Sequence, residues 1–191
     1  YAIFHTNFRK VITYIVVAEI GYMVGGVWIG AESSILGAIY HIIADSLMVL
    51  CLFMVAGMML YYLKGDTLKE AAQVFKRLPY TAIGLIVVFA SIVGIPPTAG
   101  FFSKFYLIKG AFEMGQFQFI VALIFSSLVS LVVFFRMLEA YFFKEVEGAV
   151  IKEDKVLVLP LMLTAAAIIL YGLTSTYWTN YILEIIPMGV R

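Results

Sequence analysis

Charged residues are scarce in this sequence. Asp, Glu, Lys and Arg make up 13% of the 191 residues, whereas hydrophobic residues make up 63%, and the mean hydropathy is +1.02. A soluble domain of this length needs far more polar residues to cover its surface. The composition therefore excludes a soluble globular protein and predicts an all-α protein that crosses a membrane several times.

Cysteine and histidine are also rare. The single cysteine, Cys51, lies in an apolar run, so no intramolecular disulfide can form. The sequence has two histidines and contains no glycine-rich phosphate loop, no Cys or His cluster with metal spacing and no nucleophile triad. We therefore expect no cofactor, no metal site, no nucleic-acid partner and no redox chemistry in this chain.

Only five prolines occur, and two of them are adjacent. Pro96 and Pro97, with Gly94 before and Gly100 after them, interrupt the apolar segment 79–115. As one straight helix this segment would be about 50 Å long, well beyond the roughly 30 Å of hydrocarbon in a bilayer. Proline has no amide hydrogen and clashes with the preceding helical turn. We therefore predict a discontinuous membrane helix, broken at Gly94–Pro97, with unpaired backbone groups at membrane depth.

Long apolar runs define the predicted membrane spans, which are 11–29, 36–63, 79–115, 117–143 and 156–178. Each is long enough to cross the hydrocarbon layer. The segments 64–77 and 144–155 carry most of the remaining charged residues and are predicted to be extramembrane loops. The chain is thus expected to form one membrane domain of about five spans.

The basic residues indicate the orientation. One predicted side of the membrane carries Arg9, Lys10, Lys64, Lys69, Lys76, Arg77, Arg136, Lys144, Lys152 and Lys155, and the other carries Lys109 and Arg191. Cytoplasmic segments have an excess of Lys and Arg. We therefore expect the amino-terminal end and the loops 64–77 and 144–155 to be cytoplasmic, and the carboxyl end to lie outside, in a prokaryotic plasma membrane.

Of the charged residues inside the predicted spans, three lie away from the outer ends of the spans: Glu19, Asp45 and Lys104. Charges at membrane depth are costly and generally mark ion or proton pathways. Burial favours the protonated form of Glu19. Burial and the helix dipole at the start of the second half-helix both disfavour the ammonium form of Lys104. Both side chains are therefore candidates for taking up and releasing protons.

A histidine extends this set. His41 precedes Asp45 by four residues, so both project from one helix face and can exchange protons. Simpler roles remain open for each residue. Glu19 could be a protonated structural acid, His41 an interfacial residue that only satisfies Asp45, and Lys104 a residue whose flexible stem carries the ammonium to the outer surface.

Three motifs occur in order along the chain: Arg9-Lys10-Val11-Ile12-Thr13-Tyr14 with Gly21, then His41-Ile42-Ile43-Ala44-Asp45 leading to Leu52-Phe53 and Ala56-Gly57, then Gly94-Ile95-Pro96-Pro97-Thr98-Ala99-Gly100-Phe101-Phe102-Ser103-Lys104-Phe105. This series resembles the antiporter-like subunits of respiratory complex I, Mrp-type cation/proton antiporters and membrane-bound hydrogenases. The resemblance covers nearly the whole chain. It implies helices ten to fourteen of a fourteen-helix subunit, with 79–115 as the discontinuous twelfth helix and with lipid and other membrane subunits as partners.

The resemblance also implies roles for individual positions. Lys104 matches the family's lysine on the broken helix, and His41 matches a histidine on the eleventh helix. Asp45 stands where many members have a second histidine, Val49 where many have a lysine, and Glu19 at a histidine site of the preceding helix. The implied function is translocation of protons, or of a cation such as sodium in exchange for protons, along these side chains, and the implied role is that of a non-redox membrane subunit of a translocase. The departure at Val49 keeps open the alternative of a structural subunit that conducts nothing.

Overall fold

The computed structural model describes residues 4–143 and 148–185. In these ranges the chain forms helices α1 (Phe8–Ile29), α2 (Glu32–Leu63), α3 (Leu68–Arg77), α4 (Pro79–Val93), α5 (Ala99–Glu113), α6 (Phe117–Phe143), α7 (Lys155–Leu173) and α8 (Ser175–Ile185). By length and composition α1, α2, α6 and α7 could each cross a membrane. The expected all-α class is therefore confirmed for the described residues. Residues 144–147 of the predicted loop 144–155, and Arg191, lie outside them.

Two helices occupy the predicted span 79–115. They are α4 and α5, with 15 residues each, which corresponds to about 22 Å per helix. Residues 94–98 separate them. Each helix alone is shorter than the hydrocarbon layer of a bilayer.

The last predicted span, 156–178, extends further than the helix that forms there. Helix α7 ends at Leu173, and α8 begins at Ser175. The Thr174 hydroxyl donates to the Leu170 carbonyl at 2.7 Å and accepts from the indole N–H of Trp178 at 3.0 Å. A threonine side chain that bonds the backbone competes with helical continuation, so Thr174 marks the end of α7.

The segment 64–77 is not simply a loop, because it contains helix α3. Thr67 and Glu70 form a capping box: the Thr67 amide and hydroxyl donate to the Glu70 carboxylate, and the Thr67 oxygen accepts from the Lys69 amide at 3.2 Å. The Thr-x-x-Glu pattern is a sequence signal for a helix start. The prediction of a plain loop missed that signal.

The starts of α1 and α3 are held together by polar contacts. The Phe8 amide donates to the Asp66 carbonyl at 2.6 Å, and Arg9 Nε donates to Asp66 Oδ2 at 2.7 Å. The hydrogen bonds from Arg9 and Asn7 hold the pKa of the Asp66 carboxyl below its usual value. The pair is solvent-exposed, so it orients the two chain segments more than it stabilises them.

Helix α2 is the centre of the bundle, with α1, α4, α5 and α7 packed around it. Its inner face buries Tyr40, Met48 and Leu52 completely or almost completely. Helix α5 approaches closely because Gly37 lies at the contact, where a Cβ atom would come within 2.6 Å of the Leu107 amide nitrogen. The next turn of the same α2 face therefore also points toward α5, and that turn carries His41.

Candidate functional site

The connection between α4 and α5 leaves a backbone carbonyl free for a side chain. Gly94 ends α4 in the left-handed region, with φ of 90°, which favours glycine. Pro96 and Pro97 follow, joined by a cis peptide bond, and α5 begins at Ala99. Because the helix stops here, the Ile92 carbonyl accepts a hydrogen bond from the Lys104 ammonium instead of from a later amide.

Lys104 is almost fully buried, with 4% of its surface exposed. Its Nζ atom lies 3.3 Å from Glu19 Oε1 on α1 and 3.2 Å from Ser127 Oγ on α6. Together with the Ile92 carbonyl on α4, these groups accept the three hydrogen bonds that the ammonium can donate. Groups from three helices, α1, α4 and α6, thus hold one buried cation.

Glu19 joins Lys104 to His41. Its side chain is 2% exposed, and His41 is fully buried. One carboxylate oxygen contacts the ammonium, and the other lies 3.2 Å from His41 Nε2. Residues from α1, α2 and α5 therefore form one continuous polar group inside an apolar bundle, where low polarity strengthens every charge interaction.

The contacts of Ser103 assign the proton of the neutral His41 ring to Nδ1. The Ser103 hydroxyl donates to the Gly100 carbonyl at 3.0 Å, so its oxygen accepts from His41 Nδ1–H at 2.9 Å. In the neutral ring this leaves a lone pair on Nε2, facing the Glu19 oxygen. Neither of these two atoms has a well-formed hydrogen bond among the described residues. Two facing acceptors repel each other unless a proton lies between them, so the pair forms a site for one proton.

Asp45 completes the group. It is 7% exposed, and one ligand atom from each of Glu19, His41 and Asp45 lies within 4.8 Å of the others. With Lys104 charged, both carboxylates ionised and His41 neutral, the group has one net negative charge, which a single proton cancels. The ammonium already occupies one Glu19 oxygen and would repel a divalent ion, so we assign no metal to this cluster.

Two side chains next to this group were not expected at the site. From the sequence, Ser127 on α6 is typical of a residue that packs between helices. In the structure it contacts Lys104. Tyr22, one turn after Glu19, places its ring centroid 5.3 Å from Lys104 Nζ and 5.8 Å from the His41 ring. The spacing of three from Glu19 was the available signal for Tyr22.

A buried carboxylate in the segment before α7 fixes the start of α4. Glu153, 7% exposed, accepts from the Tyr80 amide at 2.8 Å, from the Thr81 amide at 3.1 Å and from the Thr81 hydroxyl. These amides belong to the first turn of α4, where helical N–H groups have no partner within the helix and attract negative charge. The segment before α7 therefore holds α4, the helix whose Ile92 carbonyl accepts from Lys104.

We expect Glu153→Ala to lower the free energy of unfolding by about 1 to 3 kcal/mol, because buried donors lose their acceptor. The measurement is thermal unfolding of the detergent-solubilised protein. Glu184→Ala, at an exposed position, is the matched control and should change stability by less than about 0.5 kcal/mol. Equal unfolding temperatures for the two variants would contradict the assignment.

Comparison with known proteins identifies relatives of this chain. The family model described as NADH:quinone oxidoreductase/Mrp antiporter, TM, matches residues 1–130. NADH-quinone oxidoreductase subunit N of Desulforudis audaxviator is 33% identical over 143 residues, covering 75% of this chain and 28% of that protein. A Na(+)/H(+) antiporter subunit of Bacillus subtilis is 29% identical over 181 residues, covering 93% of this chain and 37% of that protein.

A solved structure shows the same fold. The membrane-bound sulfane sulfur reductase, an archaeal respiratory membrane complex, contains a chain that superposes with a TM-score of 0.85 at 25% identity, covering 94% of this chain and 37% of that one. This chain thus spans only 28% to 37% of the length of these relatives. The resemblance expected from the three motifs is confirmed: the chain belongs to the NADH:quinone oxidoreductase/Mrp antiporter transmembrane family.

Proposed function

We propose that this chain is the part of a membrane subunit that moves protons across a bilayer through Glu19, His41, Asp45 and Lys104. The observation that carries the proposal is the buried contact of Glu19 Oε2 with His41 Nε2 at 3.2 Å. This contact needs one proton to be favourable. A proton taken up there changes the charge that faces Lys104, because Glu19 contacts both His41 and Lys104.

The geometry supports a cycle in three steps. A proton entering between Glu19 and His41 cancels the carboxylate charge and weakens its attraction for the Lys104 ammonium. Lys104 then releases its proton to water in the cavity beside α6, which Lys104 and Ser127 both line. The proton held by Glu19 and His41 passes to the neutral amine and restores the ion pair. One proton enters and one leaves in each cycle.

Asp45 sets the charge of the cluster in this cycle. Its carboxylate lies beside Glu19 and His41, with one ligand atom of each residue within 4.8 Å of the others, and so adds a negative charge to the group that takes up the proton. The position of Asp45 also suits a site where the proton enters. Asp45 lies one turn beyond His41 on α2, away from Gly37 and the close contact with α5.

The membrane arrangement that fits this cycle has five spans. Helices α4 and α5 form the two halves of one discontinuous span, with Gly94, Pro96, Pro97 and Gly100 at the break, and residues 1–191 form the later part of a longer subunit. The basic residues support a cytoplasmic location for the amino-terminal end and for segments 64–77 and 144–155, in a prokaryotic plasma membrane. The names of the relatives support assembly with other membrane subunits in a respiratory or antiporter complex.

The site chemistry favours a proton over a sodium ion. Hard cations bind several oxygen ligands, whereas this cluster presents an imidazole nitrogen, and an ammonium occupies one of its carboxylate oxygens. A proton needs only the Glu19 and His41 atoms. Sodium remains the ion named for the Bacillus subtilis relative, so the test includes it.

The experiment measures proton uptake by lipid vesicles that contain the full-length protein, driven by an imposed, inside-negative potassium diffusion potential. We expect acidification of the lumen well above that of protein-free vesicles, at the same rate when choline replaces sodium. Flux that requires sodium would contradict the choice of ion. No flux above background would contradict proton transport and favour a structural subunit.

A further inference from the structure

The start of α5 is capped by a side chain from α4. Thr98 occupies the position before the first helical residue, but its hydroxyl donates to the Ile95 carbonyl at 2.7 Å and makes no cap. Instead, the Gly100 amide donates to Ser91 Oγ on α4 at 3.0 Å. A cap usually comes from the residue next to the helix start. Here it comes from the other side of the break, so this hydrogen bond connects α4 to α5.

The contact between Ser91 and Gly100 is tight and fully buried. Ser91 has no exposed surface, and a Cβ atom at position 100 would overlap the Ser91 carbonyl oxygen. Glycine at this position therefore allows the two backbones to meet. A buried hydrogen bond at such a contact fixes the position of one helix relative to the other.

A second hydrogen bond joins the same two helices close to the first. Ile92 follows Ser91 on α4, and Lys104 lies one turn after Gly100 on the same face of α5. The Lys104 ammonium donates to the Ile92 carbonyl. The position of this carbonyl relative to the lysine therefore depends on both hydrogen bonds.

The two hydrogen bonds respond differently to the proposed cycle. An ammonium forms a charge-assisted hydrogen bond, which is roughly twice as strong as one between neutral groups. When Lys104 loses its proton, its bond with the Ile92 carbonyl weakens. The bond between the Gly100 amide and the Ser91 hydroxyl joins neutral groups and keeps its strength at that step.

We propose that Ser91 is a positioning residue for Lys104. Its hydrogen bond with Gly100 keeps the Ile92 carbonyl in place during the step in which the lysine is a neutral amine. The amine therefore stays next to Glu19, from which it regains its proton. Ser91 itself carries no proton. This inference rests on the proposed transport function and adds a residue that none of its steps uses.

The pH dependence of transport distinguishes this role from a general contribution to folding. The charged and titratable groups around Lys104 in the described residues are Glu19 and Tyr22 from α1 and His41 and Asp45 from α2, whereas α4 and α6 present a carbonyl and a hydroxyl. These groups are the same in the wild type and in a Ser91 variant. As the pH rises, the lysine is a neutral amine for more of the cycle, so the loss caused by removing the Ser91 hydroxyl should grow.

The test is Ser91→Ala in vesicles that contain the full-length protein. We expect proton flux, taken relative to the wild type at the same pH, to fall about tenfold at alkaline pH and less at acidic pH. A residue needed only for folding would lower flux by the same factor at every pH. Wild-type flux across the pH range, or a loss that does not change with pH, would overturn the inference.

Ser34→Ala is the matched control. Ser34 on α2 is equally buried, its hydroxyl donates to the Ala31 carbonyl at 2.9 Å, and it packs against Gly110 of α5. Gly110 lies about 9 Å along α5 from Lys104. The control thus removes a comparable buried hydrogen bond away from the lysine, and flux should equal that of the wild type at every pH. An equal loss in Ser34→Ala would overturn the inference.

Ser91→Thr and Ser91→Val give a second comparison that holds even if Ser91→Ala does not fold. The two side chains have nearly the same shape, so any steric misfit is common to both, and only threonine keeps a hydroxyl for the Gly100 amide. We expect the threonine variant to conduct about tenfold faster than the valine variant at alkaline pH. Equal flux in the two would contradict a role for the hydroxyl.

Lys104→Met in the same assay separates the two proposals. If Lys104→Met abolishes flux while Ser91→Ala conducts as the wild type does at every pH, the positioning role fails and the proposed function stands. If Lys104→Met conducts normally, the proposed function fails, and the role of Ser91 in positioning Lys104 fails with it.

Discussion

Replacing Lys104 by methionine is expected to reduce proton flux by at least about 100-fold in vesicles containing the full-length protein. Methionine fills a similar volume but carries no charge, so Glu19 loses the cation 3.3 Å from its Oε1 atom. A buried carboxylate without a counter-ion keeps its proton. The proton between Glu19 and His41 then has no basic acceptor further along the path, and the protein should still fold.

Lys104→Arg distinguishes the need for a charge from the need for titration. A guanidinium can preserve the ion pair with Glu19, but it does not release its proton in proteins. We therefore expect Lys104→Arg to conduct as poorly as Lys104→Met. Lys109→Met is the control, since Lys109 lies on the same helix with 52% of its side chain exposed and should conduct normally. Undiminished flux in Lys104→Met would count decisively against the mechanism.

The interruption between α4 and α5 and the burial of charged side chains within apolar helices were predictable because each rests on local chemistry. Pro96 and Pro97 cannot continue a helix wherever they stand, and a lysine or glutamate inside an apolar run is conspicuous in any context. The sequence also carries the family motifs that the family model matches. For these features no knowledge of neighbouring helices is needed.

The contacts within the site were not predictable, because they join residues far apart in the chain. The spacing of four predicted that His41 and Asp45 share a helix face and exchange protons. In the structure the ring nitrogens of His41 contact Ser103 and Glu19. These contacts depend on how α1 and α5 pack against α2. Local periodicity determines which residues share a helix face, but it does not determine what that face meets.

Other features were missed because their signals are weak beside the hydrophobic pattern. The capping-box pattern at Thr67 was a signal for a helix start in the sequence. A short helix with many charged residues nevertheless has the composition of a loop. Glu153 resembles any other residue of a charged loop until the first turn of α4 is placed against it. Thr174 ends α7 within an apolar run, where hydropathy alone predicts continuation.

Replacing Glu19 by glutamine is expected to reduce proton flux by about 100-fold while leaving the fold intact. The amide has the shape of the carboxylate, so its NH₂ group can donate to His41 Nε2 and its oxygen can accept from Lys104. That amide hydrogen cannot be passed on. A fixed hydrogen bond thus replaces the exchangeable proton, and Lys104 faces a neutral partner whose charge no longer changes during the cycle.

Flux and thermal unfolding measured together separate this loss of transport from loss of structure. A Glu19→Gln protein that unfolds near the wild-type temperature and does not conduct identifies the exchangeable proton as the element that was removed. Glu113→Gln is the matched control, since Glu113 pairs with Lys109 at 3.8 Å with 44% of its side chain exposed, and it should conduct normally. Wild-type flux in Glu19→Gln would show that the proton bypasses the contact with His41, because no other change at this position removes the titrating group with so little disturbance of its neighbours.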